Sequence, residues 1–248
     1  MCGIIGVMSR GMPVDPEALA VFRDRLAHRG PDGKGLWLSP DRSVALGHRR
    51  LALVDLSPAG AQPMENEDGT VALTMNGEIY NHRELRAELQ VLGHRFRSTS
   101  DSEVALHGYE QWGPGVVDRL EGMFAFGIWD ENKKSLLLAR DRFGIKPLYY
   151  HAGDSLLLFA SELKALDRYP GVPRELDFSS VCDFFTYRYV PSPKTIWKGI
   201  AKLPPAHFLL AAPGRPPVLR EYWKLAPGRK KVSRAEAVRQ VGELLSRS

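Results

Sequence analysis

The residue with the clearest potential for chemistry in this sequence is the cysteine at position 2, directly after Met1. If Met1 is removed, Cys2 carries both a thiol and a free α-amine. The unperturbed pKa values of these groups are about 8.5 and about 7.7–8.0, so the amine can accept the thiol proton near neutral pH. Nucleophile and base would then sit on one residue, as in an N-terminal nucleophile. The alternative is that Cys2 is an ordinary residue of the first strand. Taken alone, the Met1-Cys2 dipeptide favours this alternative.

A cysteine that attacks an amide also needs hydrogen-bond donors for the oxyanion, and Asn76-Gly77 supplies two. Asn76 offers a side-chain NH₂, and Gly77 offers a backbone N–H without a side chain in the way. Removing one such donor typically costs about 10²–10³ in rate. The same dipeptide is common in hairpin turns, and taken alone it favours a turn.

Arg50 and Asp101 form an oppositely charged pair that is distant in sequence. A free amino acid presents a carboxylate and an ammonium group. The forked guanidinium of arginine suits the carboxylate, and aspartate suits the ammonium. The alternative is that both are ordinary surface charges. Arg49 is adjacent to Arg50, and the residues alone do not choose between the two arginines.

Helices and strands must position these residues, and their order along the sequence predicts an α+β fold with two largely antiparallel sheets. Helices are expected after the Asp15-Pro16 start, after the Asn81 cap with Glu84, and from Asp101-Ser102 to Gly113. Asn76-Gly77-Glu78 is expected to end its strand. Because helices and strands are grouped along the chain, a doubly wound parallel sheet is not expected. Strands are predicted at residues 2–8, Gly35–Leu38, Val44–Gly47, Leu51–Asp55, Val71–Met75, Met123–Asp130, Ser135–Arg140, Leu148–His151 and Leu156–Ala160.

The composition is that of a soluble globular protein: 248 residues, 44% hydrophobic and 25% charged. No apolar run approaches the roughly 20 residues of a membrane span, and the N-terminus does not resemble a secretory signal. Two cysteines fit a reducing cytoplasm. The net charge of +5 is scattered, and the dense run Arg229-Lys230-Lys231 is interpreted as solvated, so nucleic-acid binding is not expected. The seven histidines show no metal-ligand spacing, and His48 is expected to be structural.

The composition changes after Leu166, which predicts three parts of the chain. Residues 2–166 are expected to form one domain. Residues 167–228, rich in proline, are expected to be a linker that packs toward a neighbouring domain. Residues 229–248 are expected to contain the first helix of that domain, with Ser233 and Glu236 as a capping box. We therefore expect the natural chain to continue beyond Ser248.

Several motifs in order along the chain resemble the class II glutamine amidotransferases, and within that class the glutaminase domain of glutamine-hydrolysing asparagine synthetases. The linker-like segments from Tyr189 to Pro205 and at Tyr222-Trp223 resemble that family's connection to its synthetase domain. The motifs in the first part of the chain are Cys2–Gly6, His28–Asp32, Arg50–Asp55, Gly60–Pro63, Met75–His82, Ser100–Glu103, Gly122–Phe126, Arg140–Leu148 and Ser161–Leu166.

The resemblance implies a role for six residues and a particular fold. Cys2 matches the nucleophile, and Asn76 and Gly77 match the oxyanion donors. Arg50 matches the residue that binds the glutamine α-carboxylate, while Glu78 and Asp101 match the contacts to its α-amine. The implied fold is the four-layer αββα sandwich of N-terminal-nucleophile (Ntn) hydrolases.

The resemblance also implies a reaction and its partners. Glutamine would be hydrolysed to glutamate and ammonia without a metal or cofactor, and the ammonia would pass through a channel to a synthetase domain that makes asparagine from aspartate. The family's nucleotide loop, Ser-Gly-Gly-x-Asp-Ser, is absent from this sequence, so ATP and Mg are expected only in the synthetase domain. A homodimer remains open. The alternatives are a class II amidotransferase with another acceptor and a non-catalytic regulatory domain of the same fold.

Overall fold

The computed structural model describes residues 1–228 and 232–247, and twelve strands and six α-helices lie within these ranges. The strands are β1 Gly3–Ser9, β2 Gly33–Leu38, β3 Val44–Arg50, β4 Met64–Glu65, β5 Val71–Ile79, β6 Gly122–Asp130, β7 Ser135–Arg140, β8 Tyr149–Ala152, β9 Leu156–Ala160, β10 Ile200–Lys202, β11 His207–Ala211 and β12 Val218–Glu221. The helices are α1 Pro16–Asp24, α2 His82–Val91, α3 Ser102–Trp112, α4 Val116–Arg119, α5 Phe178–Tyr187 and α6 Arg234–Arg247.

The strands form two six-stranded sheets in which all the described pairings are antiparallel. The first sheet has the order β10-β8-β9-β1-β3-β2, and the second has the order β12-β11-β7-β6-β5-β4. Helix α1 packs on the first sheet, and α2 and α3 pack on the second. The predicted αββα sandwich with two antiparallel sheets is therefore confirmed.

The alternation of side chains along β1 shows why its sequence suits a middle layer. Ile4 and Met8 point toward the second sheet and join the apolar core between the sheets. Ile5 and Val7 point the other way, into the core beneath α1. A strand buried on both faces needs apolar residues at successive positions, which is the pattern of this segment.

The two sheets approach closely at Phe159, whose ring lies between two glycines. A Cβ atom on Gly6 of β1 would lie 2.4 Å from the Phe159 ring, and a Cβ atom on Gly127 of β6 would also lie 2.4 Å from it. Glycine is required at both positions because any side chain would displace the ring. This contact fixes the distance between β1, which begins just after Cys2, and the second sheet.

Three local predictions were wrong. Residues Leu51–Asp55 form an irregular segment after β3, because Asp55 accepts hydrogen bonds from its own loop and from Thr99 instead of joining a ladder. Strand β5 continues through Asn76-Gly77-Glu78 to Ile79, paired with β6 along its whole length. The Asn81 side chain makes no capping hydrogen bond to α2 within the described structure. Its Nδ2 donates to Arg119 O and its Oδ1 accepts from the Glu121 N–H, both just before β6.

Residues 167–228 contribute structure to both sheets. This segment contains α5, and its strands β10, β11 and β12 extend the two sheets at their edges. The division of the chain at residues 166 and 228 stays a prediction. The run Arg229-Lys230-Lys231 lies outside the described residues. In α6 the Glu236 N–H donates to Ser233 Oγ at 3.2 Å. Among the described helices none is long and apolar enough to cross a membrane.

Candidate active site

One pocket brings together all six residues that the sequence singled out. It lies where β1 begins, β3 ends and β5 approaches its last residues, and the N-terminus of α3 closes one side. Its lining includes Cys2, Arg50, Asn76, Gly77, Glu78 and Asp101, together with Met1, Leu51, Leu53, Val54, Asp55, Gly60, Gln62, Met75, Ser100, Ser102 and Lys146.

Cys2 lies at the start of a central strand, and its thiol contacts the chain that leaves the neighbouring strand. The Leu51 N–H donates to Cys2 Sγ at 3.4 Å, and Sγ lies 3.6 Å from Leu51 O. Burial raises the pKa of the Cys2 thiol, and the Leu51 N–H and nearby positive charges offset this only in part. The thiol is therefore protonated at neutral pH and needs a base before it can act as a nucleophile.

Arg29 anchors the backbone of Cys2. Its Nε donates to the Cys2 carbonyl at 2.9 Å, and its Nη1 pairs with Glu162 Oε1 at 2.9 Å. Both residues lie in motifs that we noted from the sequence, His28–Asp32 and Ser161–Leu166, but their spacing gave no indication that they meet. This bond to the carbonyl fixes the backbone of Cys2 directly before β1 and so helps to orient its thiol and amine.

Asn76 points from the second sheet toward the first. Along β5, Ala72 belongs to the core between the sheets and Thr74 bonds to His48 of β3, so strand alternation places Asn76 on the same face. The Asn76 side-chain nitrogen is buried and has no hydrogen-bond partner among the described residues. A buried amide donor normally finds a partner, so this NH₂ group is available to an oxygen atom that enters the pocket.

Gly77 lies at the open edge of the second sheet, beyond the short strand β4. On this edge the Met75 N–H donates to Gln62 Oε1 at 2.6 Å, and the Ile79 N–H donates to Asp101 Oδ2 at 2.7 Å. Alternation along the strand points the Gly77 N–H the same way, between these two acceptors and into the pocket. A Cβ atom on Gly77 would lie 2.3 Å from Met123 O, so only glycine fits here.

The structure distinguishes the two adjacent arginines. Arg50 lines the pocket, and its guanidinium donates to the backbone carbonyls of Ser57, at 2.9 Å, and Asp55. These bonds fix the position of the guanidinium group. Arg49 points elsewhere, donating to Gly30 O at 3.1 Å and lying 3.4 Å from the Asp24 carboxylate. The choice of Arg50, which the family resemblance favoured, agrees with this placement.

Two carboxylates, Asp101 and Glu78, line the pocket near Arg50. Burial raises the pKa of Asp101, although the hydrogen bond from the Ile79 N–H works in the opposite direction. A buried carboxylate of this kind gains from a cationic partner, which would restore its ionised form. Glu78 is less buried. The pocket therefore contains two carboxylates as well as the Arg50 guanidinium.

Further pocket residues were not predicted as site residues. Gln62 accepts from Met75 N and donates to Ser102 Oγ at 2.9 Å, which ties β5 to α3 beside Asn76. Lys146 is buried and brings a positive charge from the loop after β7. Gln62 and Lys146 lie in quoted motifs, Gly60–Pro63 and Arg140–Leu148. Their side chains reach the pocket only through loop geometry that sequence patterns do not reveal.

His48 lies between the sheets and outside the pocket lining. Its Nδ1 is 3.1 Å from Thr74 Oγ1, and burial, with a smaller effect of Arg50, lowers its pKa to about 3. It is therefore neutral at physiological pH, in agreement with the structural role expected for it.

A second group of ionisable residues lies away from the pocket. The ring nitrogens of His94 and His107 and the Glu110 carboxylate lie within 4.8 Å of one another. His107 Nδ1 bonds to Glu110 Oε2 at 2.7 Å, and Asn66 Nδ2 donates to Glu110 Oε1 at 2.7 Å. His94 Nδ1 lies 3.8 Å from Glu110 Oε2, and its Nε2 pairs with Gln111 Oε1 at 3.1 Å, so all three side chains belong to one network of hydrogen bonds and ion pairs.

Comparison with known proteins identifies the class of protein to which this fold and pocket belong. The family model described as "Glutamine amidotransferase domain" matches residues 1–223. The chain therefore belongs to the glutamine amidotransferase domain family.

The chain is also similar to longer proteins. The chain is 40% identical over 214 residues to asparagine synthetase [glutamine-hydrolyzing] 3 of Bacillus subtilis, covering 84% of this chain and 34% of that protein. It is 47% identical over 169 residues to asparagine synthetase [glutamine-hydrolyzing] 3 of Arabidopsis thaliana, covering 67% of this chain and 28% of that protein. The chain thus spans about a third or less of the length of these relatives.

A solved structure supports the fold independently. The glutamine phosphoribosylpyrophosphate amidotransferase of B. subtilis superposes with a TM-score of 0.67 over 90% of this chain and 49% of that chain, at 20% sequence identity. At this identity the likeness concerns the fold, and it agrees with the two-sheet sandwich.

Proposed function

We propose that this chain hydrolyses the side-chain amide of glutamine, with Cys2 as the nucleophile. The observation that carries the proposal is the pocket in which the Cys2 thiol lies together with the buried side-chain nitrogen of Asn76, which has no hydrogen-bond partner among the described residues. Arg50 and Asp101 line the same pocket with opposite charges, which suits the α-carboxylate and α-ammonium of an amino acid. Glu78 provides a second carboxylate for the amine.

The reaction begins with proton transfer from the thiol. Once Met1 is removed, the α-amine of Cys2 accepts this proton, directly or through one water molecule. Burial raises the pKa of the Cys2 thiol, so an adjacent base is needed to form the thiolate at neutral pH. Met1 itself lines the pocket, and its removal therefore both creates the base and clears space beside the thiol.

The thiolate then attacks the γ-carboxamide carbon of glutamine, and the carbonyl oxygen becomes an oxyanion. The Asn76 NH₂ and the Gly77 N–H donate to this oxygen, and because both are fixed before the substrate arrives, they lose little energy in reorganising. The Cys2 ammonium returns its proton to the leaving nitrogen, and ammonia departs. Water then attacks the γ-glutamyl thioester, which releases glutamate and restores the thiol.

The two cysteines of the chain provide a matched test of this proposal. Cys2 lies in the pocket and Cys182 is exposed on α5. We expect Cys2→Ala to abolish ammonia release from glutamine and Cys182→Ala to leave it unchanged, measured as glutamate formed per enzyme. The proposal fails if Cys2→Ala releases ammonia at the wild-type rate, or if the wild type releases none.

For the complete protein we propose that the ammonia amidates aspartate in a synthetase domain, reached through a channel, with ATP and Mg bound in that domain. The names of the B. subtilis and Arabidopsis relatives and their greater length support this assignment. An acceptor screen on the full-length protein, with ATP and labelled glutamine amide nitrogen, should transfer the label to aspartate. Transfer to another acceptor would indicate a different amidotransferase of the same class.

An exposed aromatic surface on α5 and just after it supports a partner in this region. Phe178, Phe185 and Tyr189 are 72%, 76% and 61% exposed, and exposed aromatic groups of this kind often mark interfaces. We propose that residues 167–228 pack toward the synthetase domain, and a homodimer would be a second use of such a surface. The protein is proposed to be cytoplasmic, where its two thiols remain reduced.

A further inference from the structure

The loop Arg97–Asp101 brings Asp101 to the pocket, and side chains from other parts of the chain hold this loop in shape. Arg86 donates to Ser98 O at 2.8 Å and to Ser100 O at 3.0 Å. The Thr99 N–H donates to Asp55 Oδ2 at 2.9 Å. These contacts hold the middle of the loop from two sides.

The start of the loop is held by one buried carboxylate, Glu103. Its Oε1 accepts from Arg97 N at 2.7 Å, and its Oε2 accepts from Ser98 N at 2.9 Å and Ser98 Oγ at 2.6 Å. Ser98 Oγ in turn accepts from Ser100 N at 3.1 Å. Two hydrogen bonds in series therefore connect Glu103 to Ser100, the residue directly before Asp101. Glu103 itself does not line the pocket.

His107 lies one helical turn after Glu103 on α3, with its Nε2 3.7 Å from Glu103 Oε1. Burial opposes a charge on His107, but the carboxylates of Glu103 and Glu110 outweigh it and raise its pKa to about 9. The other charged or titratable groups that face it are Glu67, 3.8 Å away, and His94, whose ring centre is 5.2 Å away. Burial opposes a charge on Glu103, but the His107 ring 3.7 Å away and the hydrogen bonds from Arg97 and Ser98 outweigh it and lower the pKa of Glu103 to about 2, so Glu103 remains ionised.

We propose that Glu103 is a positioning residue for the α-amine of glutamine: it fixes the loop Arg97–Asp101 and thereby the Asp101 carboxylate that meets this amine. The inference rests on the glutaminase function proposed above. Glu103 acts through Asp101 and takes no part in the bond-breaking steps at Cys2. Its loss should therefore weaken glutamine binding more than it slows the chemical step.

The substitution Glu103→Gln tests this proposal with little change in shape. The carboxylate accepts from three donors, whereas an amide has a single acceptor oxygen, and its NH₂ group would face at least one of these donors. The loop must then shift or lose a hydrogen bond. We expect KM for glutamine to rise about tenfold, as expected when one charge-assisted contact to the substrate weakens, with kcat within about twofold of the wild type.

Glu110→Gln is the matched control. Glu110 also contacts His107, at 2.7 Å, but the hydrogen bonds of Glu110 within the described structure join it to Asn66 and His107 and not to the loop Arg97–Asp101. Both substitutions disturb the same histidine, so both should lower thermal stability. Only Glu103→Gln should raise KM. Equal KM values for the two variants would overturn the inference while leaving the glutaminase function intact.

A substrate analogue without the α-amine separates amine positioning from general damage. Glutaramate, which is glutamine without this amine, should inhibit the wild type and Glu103→Gln equally in steady-state assays of the full-length protein. An inhibition constant that rises as much as KM would overturn the inference. If Glu103→Gln does not fold, Ser98→Ala carries the test, with an expected rise of about threefold in KM for glutamine and none in the inhibition constant of glutaramate. A wild type that does not hydrolyse glutamine would overturn both proposals.

Discussion

Replacing Asn76 by alanine should abolish most of the catalytic rate with little cost to stability. The Asn76 side-chain nitrogen is buried and has no hydrogen-bond partner among the described residues, so the folded protein loses no bond when the amide is removed. A buried donor without a partner costs about 1–3 kcal/mol, and its removal offsets the packing that is lost. We therefore expect the free energy of unfolding to change by less than about 1 kcal/mol.

The effect on the reaction should be much larger. Loss of one oxyanion donor costs about 3–4 kcal/mol in the transition state, or about 10²–10³ in kcat. KM should change little because the donor acts on charge that develops only in the transition state. Steady-state glutamate formation gives kcat and KM, and urea denaturation gives the free energy of unfolding.

Asn66→Ala is the control, because Asn66 is a buried asparagine whose amide is fully used. Its Nδ2 donates to Glu110 Oε1 and Thr70 Oγ1, and its Oδ1 accepts from Val71 N at 3.0 Å. We expect this variant to lose about 2–4 kcal/mol of stability and to keep its kcat. The reasoning is refuted if Asn76→Ala keeps kcat within threefold of the wild type, or destabilises the protein as much as Asn66→Ala does.

Two further predictions concern charge. Arg50→Lys should raise KM for glutamine about tenfold because lysine lacks the forked guanidinium that matches a carboxylate. Arg49→Lys, which alters a residue paired with Asp24, should leave KM within about twofold of the wild type. Similar KM values for the two variants would contradict the assignment of Arg50 to the α-carboxylate of glutamine. The His107 pKa of about 9 in the folded protein lies above its ordinary value of about 6.5, so its stabilising effect is complete below pH 6.5 and is lost as the pH rises through 9. Between pH 6 and pH 9.5 the free energy of unfolding should therefore fall by about 3 kcal/mol more in the wild type than in His107→Gln. Urea denaturation at each pH measures this free energy, and parallel pH profiles for the two proteins would contradict the prediction.

The grouping of helices and strands along the sequence predicted an α+β fold with largely antiparallel sheets, whereas the four-layer αββα sandwich was implied by the family resemblance. The apolar residues Ile4, Ile5 and Val7 predicted a strand at residues 2–8, and the structure has β1 there, between β3 and β9. Helix α3 was predicted to begin at Asp101-Ser102 and to stop at Gly113, and it runs from Ser102 to Trp112. These signals are local, so they could be recognised without tertiary contacts.

Predictions that depended on tertiary contacts were less accurate. Asn76-Gly77 has the local signature of a turn, but pairing with β6 keeps it in a strand, because cross-strand contacts outweigh local preference. Asp55 belongs to a segment with strand-like sequence, but its carboxylate is used by Ser57 and Thr99. Arg29 and Glu162 are 133 residues apart, and only the folded sheet shows that they meet beneath Cys2.

The most direct test of the account is the intact mass of the purified protein before and after treatment with a glutamine-like electrophile. The account predicts a mass without Met1, a single adduct located at Cys2, and loss of glutamine hydrolysis in proportion to labelling. A protein that retains Met1 and still hydrolyses glutamine at full rate, or that becomes inactive with the adduct on Cys182, would contradict it.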